Sequence, residues 1–290
     1  MNDETQEIGY EVVEEDDGAG CEGCSGSCHN PEDLRAQLNP MSKVRRVIGV
    51  VSGKGGVGKS MVTSMTAVLM NRRGYHVGIL DADMTGPSIP LGFGVHSRAQ
   101  ANSYGILPTE TEKGIGIMSV NLFLDEETEP VIWRGAIVAN TVKQFWTDVV
   151  WGDVDYLFVD MPPGTGDVPL TIFQSLPVDG IIVVASPQEL VGMIVTKAVR
   201  MAQMMDIPIL GIVENMSWFR CDKCGEKHFI YGKSRLEEAA AQYGLKILAR
   251  LPIRPDVAAA VDAGKIEDID FPEMEDVAAG IAEALPVEKE

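Results

Sequence analysis

With 290 residues, 45% of them hydrophobic, the chain is long enough for one large domain that buries roughly three quarters of its unfolded surface, so its core needs no staples. A net charge of -19 argues against a nucleic-acid partner, because a phosphate-tracking surface must be basic to displace counterions. No apolar run approaches the roughly 20 residues of a bilayer crossing, and the first residues are acidic rather than basic and then apolar, so the expectation is a soluble cytoplasmic protein without a membrane partner.

Residues 1–43 hold 11 of the 43 acidic side chains and 2 of the 24 basic ones. They are Gly-rich and too poor in apolar residues to pack alone, which describes a flexible acidic arm ahead of a body at 44–290. The arm carries Cys21, Cys24 and Cys28, followed by His29: three thiolates and an imidazole suited to a labile second cluster, iron in transit or zinc, with a ligand-free arm as the alternative. The two remaining cysteines, Cys221 and Cys224, form a second tight group. An odd count in two clusters, with no export signal, favours metal or redox chemistry over structural disulfides.

From Arg46 onward, short β-branched runs alternate with longer periodic segments. Strands are expected at 47–51, 76–80, 115–120, 156–159, 180–184, 209–213 and 246–251. Between them Val138, Val142, Phe145, Trp146 and Val149 recur at helical spacing, as do Val191, Ile194, Val195, Ala198, Ala202 and Met205, and both stripes are expected to face the sheet. The methionines at 193, 201, 204 and 205 are read as core or surface filler. A short amphipathic segment at 277–285 sits in an acidic tail, unlike the basic helix that attaches to membranes. The fold class is α/β: a mostly parallel sheet with helices on both faces, preceded by the arm.

Gly53, Lys54, Gly55, Gly56, Val57, Gly58, Lys59, Ser60 and Met61 follow the first strand and open a helix, the context that a phosphate-binding loop requires. Backbone N–H groups and the helix N-terminus would face the phosphates, with Lys59 on the β- and γ-phosphates and Ser60 on Mg2+. Asp160 ends an apolar strand and fits the carboxylate that holds the magnesium directly or through water. Asp81 and Asp83 are candidates for positioning the attacking water and for the outer metal shell; capping a turn is their alternative role. The stretch 162–167, Pro-Pro-Gly-Thr-Gly-Asp, is either a γ-phosphate sensor or a rigid turn.

The extra lysine in GKGGVGKS makes this loop resemble the deviant P-loop class that includes nitrogenase iron protein, the septum-site and plasmid-partition ATPases and the Mrp-type iron–sulfur carriers. DADMTGPSIP (81–90), DMPPGTGD (160–167) and ENMSWFRCDKCG (214–225) resemble the Mrp-type, or ApbC-like, carriers in particular. The resemblance implies a weakly hydrolysing ATPase that uses ATP and Mg2+. It further implies that Lys54 reaches the nucleotide of the second subunit of a homodimer, that Asn215 contacts adenine, and that Cys221 and Cys224 of each subunit bridge one [4Fe–4S] cluster delivered to apo iron–sulfur proteins. Two departures stand out: the arm has three closely spaced cysteines where some relatives have four, and Trp133-Arg134-Gly135-Ala136 lacks the proline that relatives usually have after the glycine, which implies altered loop stiffness.

By spacing alone, Cys221, Cys224 and His228 also admit zinc, one ligand short of a closed tetrahedral site, or a reactive dithiol. Two rival functions follow from the same class: a partition- or septum-type switch without a cluster, and an ATP-driven electron donor resembling nitrogenase iron protein.

Overall fold

The computed structural model describes residues 35–84, 86, 88–123, 135–188 and 191–288. Cys21, Cys24, Cys28 and His29 of the arm, Thr85 and Pro87 of the second motif, and Trp133 and Arg134 lie outside the described residues. In chain order the elements are β1 (Lys43–Ser52), α1 (Lys59–Arg72), β2 (Val77–Asp81), α2 (Ile89–Gly92), β3 (Gln100–Asn102), β4 (Gly105–Leu107), β5 (Thr109–Glu110) and β6 (Gly116–Met118). They continue with α3 (Gly135–Thr147), β7 (Asp153–Asp160), α4 (Asp167–Ser175), β8 (Gly180–Ala185), α5 (Val191–Met204), β9 (Ile209–Arg220), β10 (Lys227–His228), α6 (Leu236–Gln242), β11 (Ile247–Ile253), α7 (Pro255–Asp262) and α8 (Glu275–Ala284).

All seven expected strands are present. With β5 and β10 they form a nine-stranded sheet in the order β10-β9-β8-β1-β7-β2-β6-β5, with β11 also paired to β9. Within this sheet the described pairings are parallel except those of β5 and β10, which lie at the ends of that order. The hairpin of β3 and β4 forms a separate small sheet that the sequence reading did not anticipate; its strands are three residues long and exposed or half-buried, so they carry no hydrophobic period.

Alternation along β1 explains why helices cover both faces. Val47 and Val51 join one core with α3, α4 and α5, while Ile48 and Val50 join the other with α1, α7 and α8. The two helical stripes behave as expected: Val138, Val142, Phe145, Trp146 and Val149 are buried, as are Ile194, Val195, Ala198 and Ala202. Met201 is core, whereas Met193 and Met204 are exposed. Helix α1 is buried from Val62 to Met70, which places it inside the body rather than on its surface.

Residues ahead of β1 already pack on this body. Ala36 N–H donates to the Ser175 carbonyl at 2.9 Å, and Trp146 Nε1 donates to the Ala36 carbonyl at 3.0 Å. No described helix is long and apolar enough to cross a membrane.

Candidate functional site: a phosphate loop braced against a cysteine hairpin

Parallel register brings the site together. Val50 of β1 and Asp81 of β2 both pair with Asp160 of β7, so the loop after β1 and two carboxylates emerge side by side at the carboxyl edge of the sheet. This edge is where open α/β sheets place ligands.

The loop ends at Gly58, whose left-handed φ of 82° turns the chain into α1. A Cβ at that position would lie 2.2 Å from Asn215 Nδ2, so glycine is demanded by conformation and by space together. Helix α1 begins at Lys59 with no acidic residue in its first turn, leaving its N-terminal partial positive charge for an anion.

Around Asp160 the structure assembles more than the sequence reading foresaw. The carboxylate is fully buried; one oxygen accepts from Lys59 Nζ at 2.7 Å and Ser60 Oγ at 2.6 Å, the other from Thr63 Oγ1 at 2.7 Å. Asp83 approaches Lys59 Nζ at 3.5 Å. Thr63 was missed because a threonine one turn into a helix carries no sequence signal until the fold points it at β7. Lys59 is thus paired with an internal carboxylate, and a phosphate at the loop must compete with Asp160 for it. Ser60 Oγ and Asp160 form a pair of hard oxygen donors beside the loop, which suits Mg2+.

Asp81 has a different role. Its oxygens accept from Ser119 Oγ at 3.0 Å and from the Asp83 N–H at 3.2 Å. Burial holds its carboxyl well above the ordinary carboxylate range and the charge of Asp160 raises it further, while Lys59 and the Ser119 hydroxyl act in the opposite direction. A carboxyl whose folded pKa exceeds its unfolded one contributes stability that is full below the unfolded pKa and lost as pH rises through the folded value. Asp81→Asn in the nucleotide-free protein is therefore expected to flatten the decline in stability on going from about pH 4 toward neutrality. Urea midpoints across a pH series measure this, and an unchanged slope contradicts the assignment.

A cavity of about 310 Å3 lies over the loop, walled by Gly55, Gly56, Lys59, Ser60, Asp83 and Pro163. Gly164 N–H donates to the Ser52 carbonyl at 2.7 Å, which fixes the 162–167 turn against the loop. A second cavity of about 310 Å3 shares Gly58, Met61 and Val261 with the first and continues to Asn215, Arg254 and Phe271. The Arg254 guanidinium stacks 5.1 Å from the Phe271 ring centroid. Two cavities of equal volume that share three walls, one over the phosphate loop and one beside Asn215 and Phe271, offer room for a nucleotide.

Asn215 lines the second cavity, and its amide is also a brace. Nδ2 donates to the Val57 carbonyl at 2.9 Å, and the Met216 N–H donates to Oδ1 at 2.9 Å. Met216 takes the left-handed φ of 60°, uncommon for a residue with a side chain. The Lys54 ammonium donates to the Gln188 side-chain oxygen.

Strand β9 runs on from Asn215 through Trp218 to Arg220, and Cys221 begins the turn to β10. Six residue steps lead from the loop brace to the first thiol, and with Met216 out of the extended conformation the two are at most about 20 Å apart. Lys227 Nζ sits 4.2 Å over the Trp218 ring and the Arg220 guanidinium 5.6 Å from it, so the hairpin is clamped by stacked cations. Lower on the strand, the buried Glu214 carboxylate accepts from Ser217 at 2.7 Å and from Ser234, and meets Arg250 of β11 at 3.5 Å. Cys221 is half-buried and Cys224 exposed. The backbone N–H of Cys224, then that of Lys223, lowers the Cys221 thiol pKa, favouring the thiolate that metals and sulfide clusters require.

The model of the ParA family described as NUBPL iron-transfer P-loop NTPase matches residues 43–285, a span that takes in both the loop and the hairpin. The chain belongs to this family. The iron–sulfur cluster carrier protein of Methanocaldococcus jannaschii is 44% identical over 253 residues, covering 84% of this chain and 87% of that one. The Clostridium perfringens protein of the same name is 41% identical over 254 residues, with 85% and 87% covered. The mouse iron-sulfur cluster transfer protein NUBPL is 39% identical over 228 residues, with 78% and 71% covered. Among solved structures, a nucleotide-binding protein from Archaeoglobus fulgidus in complex with ADP, with Co found by PIXE, superposes with a TM-score of 0.73 at 39% identity, covering 80% of this chain and 91% of that one. The Aquifex aeolicus MinC:MinD cell division complex superposes at 0.56 and 18% identity over 84% and 97%, a likeness of fold alone. As a member of this NTPase family the chain is a nucleotide-binding ATPase.

Proposed function

We propose that the protein is an ATP-dependent carrier of iron–sulfur clusters that works as a homodimer in the cytoplasm, holding one [4Fe–4S] cluster between Cys221 and Cys224 of each subunit and delivering it to apo iron–sulfur proteins. The observation that carries this reading is the course of β9, a single strand whose near end braces the phosphate loop through Asn215 and whose far end presents two thiols. Two thiols are half of a four-cysteine set, and a second copy supplies the other half. The hairpin continues into Phe229, Ile230 and Tyr231, all exposed, which supports a surface that meets another protein.

In this reading Lys59 leaves Asp160 for the β- and γ-phosphates, and Ser60 and Asp160 hold the magnesium. Bound Mg2+ offsets the phosphate charge that develops during hydrolysis. Asp81 and Asp83 orient the attacking water, and the second cavity takes the adenine beside Asn215. Nucleotide affects cargo only if it binds the closed and open dimers differently, and the strand from Asn215 to Cys221 offers the connection.

Anaerobic reconstitution with iron and sulfide tests the reading. About four irons per dimer are expected, falling to background in Cys221→Ser and Cys224→Ser, with ATP changing the rate of transfer to an apo-acceptor. An active, dimeric, metal-free protein would instead favour a partition-type switch, and a cluster retained during transfer assays but rapidly reduced would favour an electron donor.

A further inference from the structure

Thr63 stands in the phosphate site without belonging to the phosphate loop. It lies one turn after Lys59 on the same face of α1, fully buried, and its hydroxyl donates to Asp160 Oδ1 at 2.7 Å. Lys59 Nζ at 2.7 Å and Ser60 Oγ at 2.6 Å both meet the other oxygen, Oδ2. The carboxylate is thus divided, one oxygen serving the loop and the other Thr63.

A hydroxyl has one proton to give, and Thr63 has two acceptors in reach, Asp160 Oδ1 at 2.7 Å and the Lys59 carbonyl at 3.0 Å. The shorter, charge-assisted bond to the carboxylate takes it. Thr66, three residues on, shows the ordinary helical use, giving its hydroxyl to the Val62 carbonyl at 2.7 Å. The difference matters once a nucleotide is bound. Lys59 is then drawn to the phosphates and Ser60 Oγ to the magnesium, so Oδ2 loses both donors while Oδ1 keeps its own. Of the three groups around Asp160, Thr63 alone is left to fix how the carboxylate faces the metal.

We propose that Thr63 is a positioning residue for the magnesium of the nucleotide site: by holding Oδ1 it leaves Asp160 a single free oxygen, and so favours Mg2+ over Ca2+. Mg2+ is small and near-octahedral and keeps several waters, whereas Ca2+ takes about six to eight oxygens and readily uses both oxygens of one carboxylate. A carboxylate with one oxygen committed suits the first ion and denies the second its two-oxygen grip. The inference rests on the assignment of Ser60 and Asp160 to magnesium, and adds to it a residue and a preference between ions.

The affinity of the full-length chain for a fluorescent ADP analogue, measured in EDTA and then across Mg2+ and Ca2+ titrations, tests this without turnover. Thr63→Val keeps the shape and removes the donor. It is expected to need about 10–100-fold more Mg2+ for half of the metal-dependent gain in affinity, the scale on which outer-shell partners act. Its Ca2+ requirement should stay the same or fall, so the preference for Mg2+ drops by at least that factor, and Thr63→Ser should restore the wild-type values. An unchanged Mg2+ requirement in Thr63→Val, an equal rise for both ions, or a Thr63→Ser variant no better than Thr63→Val overturns the proposal. ADP affinity in EDTA reports whether each variant is folded; should Thr63→Val fail there, Thr63→Cys, whose thiol is a weak donor, carries the same expectation. A wild type whose ADP affinity ignores Mg2+ overturns the magnesium assignment and the proposal together, whereas a wild type that responds to Mg2+ and is matched by Thr63→Val overturns the proposal alone.

Discussion

Lys59→Ala is expected to lower ATP turnover by about 10²–10³-fold, the effect of removing one donor aimed at developing charge in a site sheltered from water. Lys59 is the cation the fold places at the start of α1, 2.7 Å from Asp160 and 5% exposed, so the loop has no equivalent to take its place on the phosphates. The same substitution has a second consequence. It leaves the buried Asp160 carboxylate with only the Ser60 and Thr63 hydroxyls, and breaking a buried ion pair on one side costs about 3–5 kcal/mol. Lys59→Ala combined with Asp160→Asn removes the orphaned charge and should recover much of that stability without recovering turnover. Phosphate release at saturating Mg-ATP and denaturant midpoints measure the two effects separately. Turnover within a few-fold of the wild type would contradict the role given to Lys59.

Lys54→Ala should behave differently: near-normal nucleotide binding with turnover reduced on a scale comparable to Lys59→Ala. In its own protomer Lys54 is held by Gln188 and takes no part in the Asp160 cluster, so its removal leaves the local binding apparatus intact. If the lysine acts on the partner's nucleotide, mixing the Lys54→Ala and Lys59→Ala proteins creates one complete site in every mixed dimer. With half of the dimers mixed and one of two sites working in each, about a quarter of wild-type turnover should return. Equal loss of ATP affinity in the two variants, or no recovery on mixing, would place Lys54 in its own subunit's site.

Much of this site could be read before any coordinates. Gly53 to Ser60 read as a loop because glycines dominate its start between an apolar strand and a helical period, although α1 already begins at Lys59, and the strand-end position of Asp160 followed from the apolar run before it. The seven strands were legible because a strand buried on both faces reads as an uninterrupted β-branched run. Where that signal is absent, so was the prediction. The β3 and β4 strands are exposed or half-buried, and the continuation of β9 from Asn215 to Arg220 is polar enough to read as loop.

Local pattern was enough to read the class of fold, the phosphate loop, a candidate magnesium carboxylate and the grouping of Cys221 with Cys224, since each depends on residues close together in the chain. Only the folded sheet decided that Asp81 and Asp160 sit on adjacent strands, that Thr63 and Ser119 serve them, and that Val257, Arg254 and Phe271 wall a second cavity. It also decided that Asn215 supports the loop from a strand more than 150 residues later. These are long-range contacts fixed by strand order and register, and neither quantity is written in the spacing of residues along a sequence.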